Sequence, residues 1–212
     1  MAEVSPSGPP ETDHYFNATP ASAEQRRERQ LLLAGRDYTV QVASGIFSPD
    51  GVDRGTAVLL AQVPPPPAQG TFLDLGCGWG PIALTLALHS PQATIWAVDV
   101  NTRALDLMRR NAEQLGTQGI RVAEPSEVAA ETTYDLIWSN PPIRIGKAAL
   151  HELLQTWLPR LAPGGEAYLV VAKQLGADSL QSWLAGQFPD LSVSRYASDK
   201  GFRVLQLTRP AD

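Results

Sequence analysis

Two short strings in this chain hold residues whose types and spacing could do chemistry. The first is Asp74-Leu75-Gly76-Cys77-Gly78-Trp79-Gly80. Glycines at alternate positions let a ligand approach the backbone, and the spacing is GxGxG, not the GxGxxG of a dinucleotide loop. Asp74 would repel a pyrophosphate, so a cationic ligand fits better. Asp99, in Val98-Asp99-Val100-Asn101, stands where a carboxylate holds ribose hydroxyls in nucleotide-binding sheets, which makes an adenosyl ribose the natural guest. The competing reading is a glycine-rich turn in some other α/β protein. The second string is Asn140-Pro141-Pro142-Ile143. An Asn side-chain oxygen and the Pro141 carbonyl can both accept N–H protons from a planar exocyclic amine and favour its pyramidalisation toward an electrophile. The prolines fix φ and restrict their predecessors, so both acceptors are set before substrate arrives. Taken alone, the same residues read as a proline-rich turn that ends a strand.

These strings need strands to present them. Thr71 to Leu75 is a short apolar run that ends in the glycines, and Pro81 suits the first turn of the helix after them. Ala93 to Val98 reads as a second strand ending at Asp99. The helix that follows places Ala104, Leu107, Met108, Ala112 and Leu115 on one face and stops at Gly116. Ile120 to Ala123 is a third strand, and Tyr134 to Ser139 a fourth that runs into Asn140. Leu150, Leu153, Leu154, Trp157, Leu158 and Leu161 form an apolar stripe. Ala162 to Gly165 turns into a fifth strand, Glu166 to Ala172, and a helix follows around Leu180, Trp183, Leu184 and Phe188. Strands near Leu191 to Tyr196 and Phe202 to Thr208 flank a turn too short for a crossover, so the sheet is parallel with an antiparallel end. Upstream, Ala21 to Leu33 is charged and helix-compatible, Thr39 to Val42 alternates like a strand, and Gly55 to Val63 reads as a helix halted at Pro64. The prolines at 64 to 67 mark the best boundary, and residues 1 to 13 have little to bury and read as a disordered tail.

The 212 residues amount to about one domain, and 43% apolar content can build its core. A net charge of −5 excludes bulk electrostatics as the means of holding nucleic acid, so any polyanion must meet a local patch. The lone cysteine, Cys77, excludes an internal disulfide framework and a cysteine-only zinc site, and fits a reducing compartment. A cytoplasmic protein is expected, with no export signal or membrane span. His151-Glu152-Leu153-Leu154-Gln155 has Gln where a zinc-protease helix needs its second His, so no metal site is expected.

The strings DLGCGWG and AVDVNTRAL resemble the first two motifs of class I S-adenosylmethionine-dependent methyltransferases. Together with NPPIRIGK, DHYF at 13 to 16, SGIFS at 44 to 48, DRGT at 53 to 56, KQLGADSL at 173 to 180 and GFRVL at 201 to 205, they resemble the small-methyltransferase domain of the RsmC-type ribosomal RNA guanine-N2 methyltransferase group. That resemblance implies a Rossmann-like α/β sheet of seven strands, mostly parallel with an antiparallel C-terminal strand. Residues 68 to 212 would form the core, with residues 14 to 63 as an extension over the cofactor. It implies S-adenosylmethionine as cofactor, with Asp74 at its methionine end, Gly76, Cys77, Gly78 and Gly80 in the loop, and Thr56 near its carboxylate. Asp99, Val100 and Asn101 would lie at the ribose, Glu124 at the adenine, and Asn140 between cofactor and substrate. Asn140, Pro141, Pro142 and Ile143 would be catalytic. Ile143 stands where such elements usually carry an aromatic, which removes the usual stacking surface. The implied substrate is guanine N2 of ribosomal RNA, free or in the small subunit, with Arg144, Lys147 and Arg203 meeting phosphate. Arg26, Arg27 and Arg29 offer a second basic patch diluted by Glu24 and Glu28. A glutamine-amide methyltransferase and a non-catalytic RNA-binding module that keeps the cofactor fold are the rival readings. The chain has no room for the second, cofactor-free domain of two-domain members.

Overall fold

The computed structural model describes residues 25–211. The chain opens with a hairpin of β1 (Arg26–Leu33) and β2 (Arg36–Ala43). This corrects the expectation of a helix over Ala21 to Leu33, of which residues 21 to 24 lie outside the described part, as do the expected tail and the DHYF string. Ala34 (φ 48°) and Gly35 (φ 78°) both take left-handed conformations, the two-residue turn whose twist suits a hairpin. Pairing decides against the helix: β1 buries only Leu33 but pairs residue for residue with β2, whose fully enclosed Val40 and Val42 anchor the hairpin, at about 1.5–3 kcal/mol for each such side chain. The arginines add little to this, because Arg27 and Arg29 reach Asp50 only in exposed pairs at 3.6 and 3.8 Å. The buried Asn111 does more: it accepts from Gln41 N at 2.7 Å and donates to Gln41 O and Trp79 O, each at 3.0 Å, which ties the hairpin to the glycine loop.

After α1 (Arg54–Gln62), which stops short of the prolines at 64 to 67, strands and helices alternate. They are β3 (Thr71–Leu75), α2 (Pro81–His89), β4 (Thr94–Val98), α3 (Thr102–Gln114), β5 (Ile120–Ala123), β6 (Tyr134–Ser139), α4 (Lys147–Trp157), β7 (Leu161–Ala172), α5 (Ala177–Gln187), β8 (Ser192–Asp199) and β9 (Phe202–Thr208). One seven-stranded sheet results, ordered β5-β4-β3-β6-β7-β9-β8. Only β9 runs opposite to the other six strands, and Lys200 (φ 45°) and Gly201 (φ 85°) make its tight turn from β8. The fifth strand of this sheet begins at Leu161, earlier than Glu166. Leu161 pairs with Tyr134 and Glu166 with Leu136, so the residues between bulge out of register around Gly164 (φ 75°).

Alternation along each strand sends neighbouring residues to opposite faces. Phe72, Ile95, Leu136, Trp138 and Val170 pack with the hairpin, α1, α2 and α3. Leu73, Leu75, Ile137, Leu169 and Leu205 pack with α4 and α5. Strand order reverses between β3 and β6, and a ligand crevice forms at the carboxyl ends of strands at such a point. Among the described residues no helix is long and apolar enough to cross a membrane.

Candidate functional site

The loop after β3 curls over the end of β4. Gly76 N and Cys77 N both donate to Val98 O, at 2.8 and 3.0 Å. Gly76 (φ 78°) and Gly78 (φ 55°) hold conformations that side chains rarely adopt. A Cβ at Gly78 would meet no protein atom within 4 Å and would project into the cavity that this loop lines. Asp99 pins the loop in place: its Oδ2 accepts from Gly78 N and its Oδ1 from Asn101 N, both at 2.9 Å. Burial raises the Asp99 pKa, and the N–H groups of Asn101, Gly78 and Val100 oppose that rise. Each carboxylate oxygen keeps acceptor capacity for a hydroxyl beyond its backbone bond. Asn101 caps α3 at Ala104 N and donates to Gly45 O at 3.2 Å, so the SGIFS turn is fastened beside this carboxylate. The turn presents Phe47, which is 39% exposed, to the cavity.

Ser139 Oγ donates to Leu75 O at 2.6 Å and locks the end of β6 against the end of β3. Asn140 therefore emerges beside the glycine loop. Its Nδ2 donates to Asp53 Oδ2 at 2.9 Å and to Thr56 Oγ1 at 3.1 Å. Asp53 is also the N-cap of α1. Beyond Asn140, Pro142 (φ −74°, ψ 72°) centres an inverse γ-turn in which Ile143 N donates to Pro141 O at 2.8 Å. One lone pair of the Pro141 carbonyl is thus engaged and one remains.

A cavity of about 370 Å³ joins these parts. Gly76, Gly78, Asp99, Val100, Asn101, Asn140, Pro141, Pro142, Ile143 and Arg144 line it. A smaller recess continues from it, lined by Asp53, Thr56, Cys77 and Asn140. The Cys77 thiol is buried with its pKa pushed well up, chiefly by desolvation, so it is packed and unreactive. Thr56 and Cys77 line only the smaller recess, and five expected residues line neither: Asp74, Gly80, Glu124, Arg203 and Lys147. Asp74 lies behind the loop, fully buried, with Oδ2 accepting from Ala83 N at 2.9 Å and Oδ1 without a partner among the described residues. Desolvation pushes its pKa up to about 8. Gly80 caps α2, where a side chain would run into Met108 Sδ. Glu124 closes a capping box with Glu127, and its neighbour Pro125 lines the cavity instead. Arg203 donates to Asp178 Oδ2 at 2.8 Å with its side chain only 14% exposed, so the first turn of α5 holds it away from the rim. Lys147 is exposed at the start of α4, and neither it nor Arg144 has an ion pair among the described residues.

Sequence reasoning missed Asp53, Phe47 and Phe202 as wall residues. The resemblance set residues 14 to 63, which include Asp53 and Phe47, over the cofactor but singled out neither. Phe202 opens β9 opposite Ala172, and a Cβ on Gly55 would lie 3.1 Å from its ring, so it reaches the Asp53–Asn140 pair from the far side of β7. With Phe47 it brings aromatic surface to a cavity whose Asn-Pro-Pro loop carries Ile143. The cradle suits an adenosyl sulfonium: positive-φ glycines without side chains, a carboxylate at the end of the next strand, and the apolar Val100 and Pro125 beside it. No group of three or more metal-binding side chains occurs among the described residues.

Comparison with known proteins accords with this geometry. Residues 37–206 match the methyltransferase small domain family. The uncharacterised Bacillus subtilis (strain 168) protein YbxB is 33% identical over 198 residues, which cover 92% of this chain and 98% of that protein. A ribosomal RNA small subunit methyltransferase C of Pseudomonas putida is 35% identical over 183 residues, 84% of this chain and 53% of that one, so the chain spans about half the length of this relative. The T. thermophilus 16S rRNA N2 methyltransferase RsmC, solved with AdoMet and guanosine, shares the fold at a TM-score of 0.72 and 22% identity, over 87% of this chain and 50% of that one. The chain belongs to the methyltransferase small domain family.

Proposed function

We propose that this protein transfers a methyl group from S-adenosylmethionine to the exocyclic N2 amine of a guanine in ribosomal RNA, free or within the small subunit. The observation that carries the proposal is that the glycine cradle and the Asn-Pro-Pro loop wall one cavity, with Asn140 between them. S-adenosylmethionine, when bound, supplies an electrophilic methyl group. Gly76, Gly78 and Asp99 would hold it through backbone approach and ribose hydroxyls, with Val100 and Pro125 as apolar flanks. Asn140 Oδ1 and the free lone pair of Pro141 O would accept the two N–H groups of the amine and turn the nitrogen lone pair toward the methyl carbon. The nitrogen–carbon bond forms as the carbon–sulfur bond breaks, and the proton leaves once the nitrogen is positive, so no strong base is needed. Phe47 and Phe202 offer flat surfaces for a base. Arg144 and Lys147 would meet phosphate at the mouth, a local basic rim on a chain of net charge −5. The name of the P. putida relative supports the choice of RNA. The test is incubation with methyl-labelled cofactor and, in parallel, total RNA or a protein fraction containing release factors. Label in RNA is the expected result, and label in protein alone would sink the RNA reading.

A further inference from the structure

We infer that Asp53 is a positioning residue for methyl transfer, because its carboxylate fixes which end of the Asn140 amide meets the substrate. This rests on the reading that Asn140 accepts a proton from the substrate amine. A primary amide can present either its oxygen or its NH₂ to the cavity, and the two differ by a half-turn of one bond. In the wrong orientation NH₂ faces an N–H donor, and the amine is repelled. A carboxylate only accepts. Three donors converge on Asp53 Oδ2: Gly55 N at 2.7 Å, Thr56 N at 3.3 Å and Asn140 Nδ2 at 2.9 Å. Turning the amide over would place two oxygens against each other. Thr56 Oγ1 takes a second bond from the same Nδ2 at 3.1 Å, so both of its protons point at α1 and Oδ1 is left for the amine.

The first turn of α1 is shaped around this pair. Gly55 is buried there, and a Cβ on it would stand 2.9 Å from Asp53 Oδ2 and 3.3 Å from Asn140 Nδ2. No side chain fits without pushing one from the other. A bond from Nδ2 to a carboxylate also draws electron density onto Oδ1, which strengthens it as an acceptor. The strings DRGT and NPP are thus one device, although 87 residues separate Asp53 from Asn140.

Asp53→Ser separates this role from helix capping, since Ser is a good N-cap but too short to reach Asn140 as well. A double-mutant cycle with Asn140→Ala decides the matter, read on whichever amine the wild-type protein methylates. The expected result is a fall in kcat of about 10–100-fold for Asp53→Ser, with acceptor KM and thermal midpoint close to wild type, and no further loss when it is added to Asn140→Ala. Additive losses, or a loss confined to KM or to folding, would overturn the inference. NMR gives a second measurement that needs no turnover: the Asn140 side-chain ¹⁵N–¹H₂ pair should sit apart from free amides in the wild type and move to free-amide positions in Asp53→Ser. An unchanged pair refutes the positioning role even in an active enzyme. A wild type that methylates protein and not RNA ends the RNA reading and leaves this inference standing.

Discussion

Replacing Asp99 by Asn separates what that carboxylate does for the fold from what it does for the cofactor. Asp99 takes one backbone N–H on each oxygen, from Gly78 and from Asn101, both at 2.9 Å. An amide has one accepting oxygen, so whichever way the substituted side chain turned, its NH₂ would face one of those N–H groups. A buried donor left unpaired costs about 1–3 kcal/mol. Burial already raises the Asp99 pKa, so removing a desolvated charge offsets part of that cost, and the loss of stability should lie at the lower end. The ribose term is separate. A hydroxyl bonded to a charged acceptor is worth about 1.5–3 kcal/mol, which is roughly 10–150-fold in affinity for one lost bond. Calorimetric titration of S-adenosylhomocysteine at neutral pH, beside a urea melt of the free protein, reads the two terms independently. Asp99→Asn that binds the product with wild-type affinity refutes the assignment of Asp99 to the ribose.

Gly55→Ala should lower kcat by about tenfold while leaving thermal stability within about 1 kcal/mol of wild type, because Ala favours the helix as much as its Cβ crowds Asp53 and Asn140; steady-state kinetics and a melt check both parts. Asp74 takes up its proton near pH 8 and not near its ordinary 3.8, so the folded state holds more protons across that window and stability declines as pH rises through it. Asp74→Asn keeps an acceptor for Ala83 N and should remove this component, so denaturant melts from pH 4 to pH 9 should show the stability of wild type relative to the variant falling with pH, and a constant difference counts against the buried acid. Reversing both Arg144 and Lys147 to Glu should raise KM for RNA and reduce the salt dependence of RNA binding by about two phosphate contacts, with product affinity unchanged by calorimetry.

Much of the catalytic sheet was legible because glycines and prolines punctuate it. Asp74 through Gly80, Asp99 and Asn140 each end a strand with an abrupt change of residue type, and the structure places all three ends around the β3–β6 reversal. The hairpin was not legible. Residues such as Gln25 to Gln30 favour a helix locally, and what overrides them is pairing with β2, held in place by the burial of Val40 and Val42 and by the clasp of Asn111, which lies 70 residues beyond Gln41. Glu124 and Arg203 have the right chemistry at nearly the right places, but each is engaged by a neighbour: the 3₁₀ turn at Pro125–Glu127 and Asp178. Such engagement depends on side-chain direction, which spacing does not encode. Asp53 shows the converse. The resemblance set residues 14 to 63 over the cofactor without singling it out, and only the fold reveals that the oxygen capping α1 also holds an amide from another strand end.

The central claim is that an amine on a guanine base, held by Asn140 and Pro141, receives the methyl group. Ribosomal RNA and small subunits from a strain lacking this protein, treated with the purified protein and S-adenosylmethionine and digested to nucleosides, test it most directly by mass spectrometry. The account predicts that N2-methylguanosine forms with wild-type protein and far more slowly, though measurably, with Asn140→Ala. A different methylated nucleoside, or N2-methylguanosine formed equally well by Asn140→Ala, would contradict it.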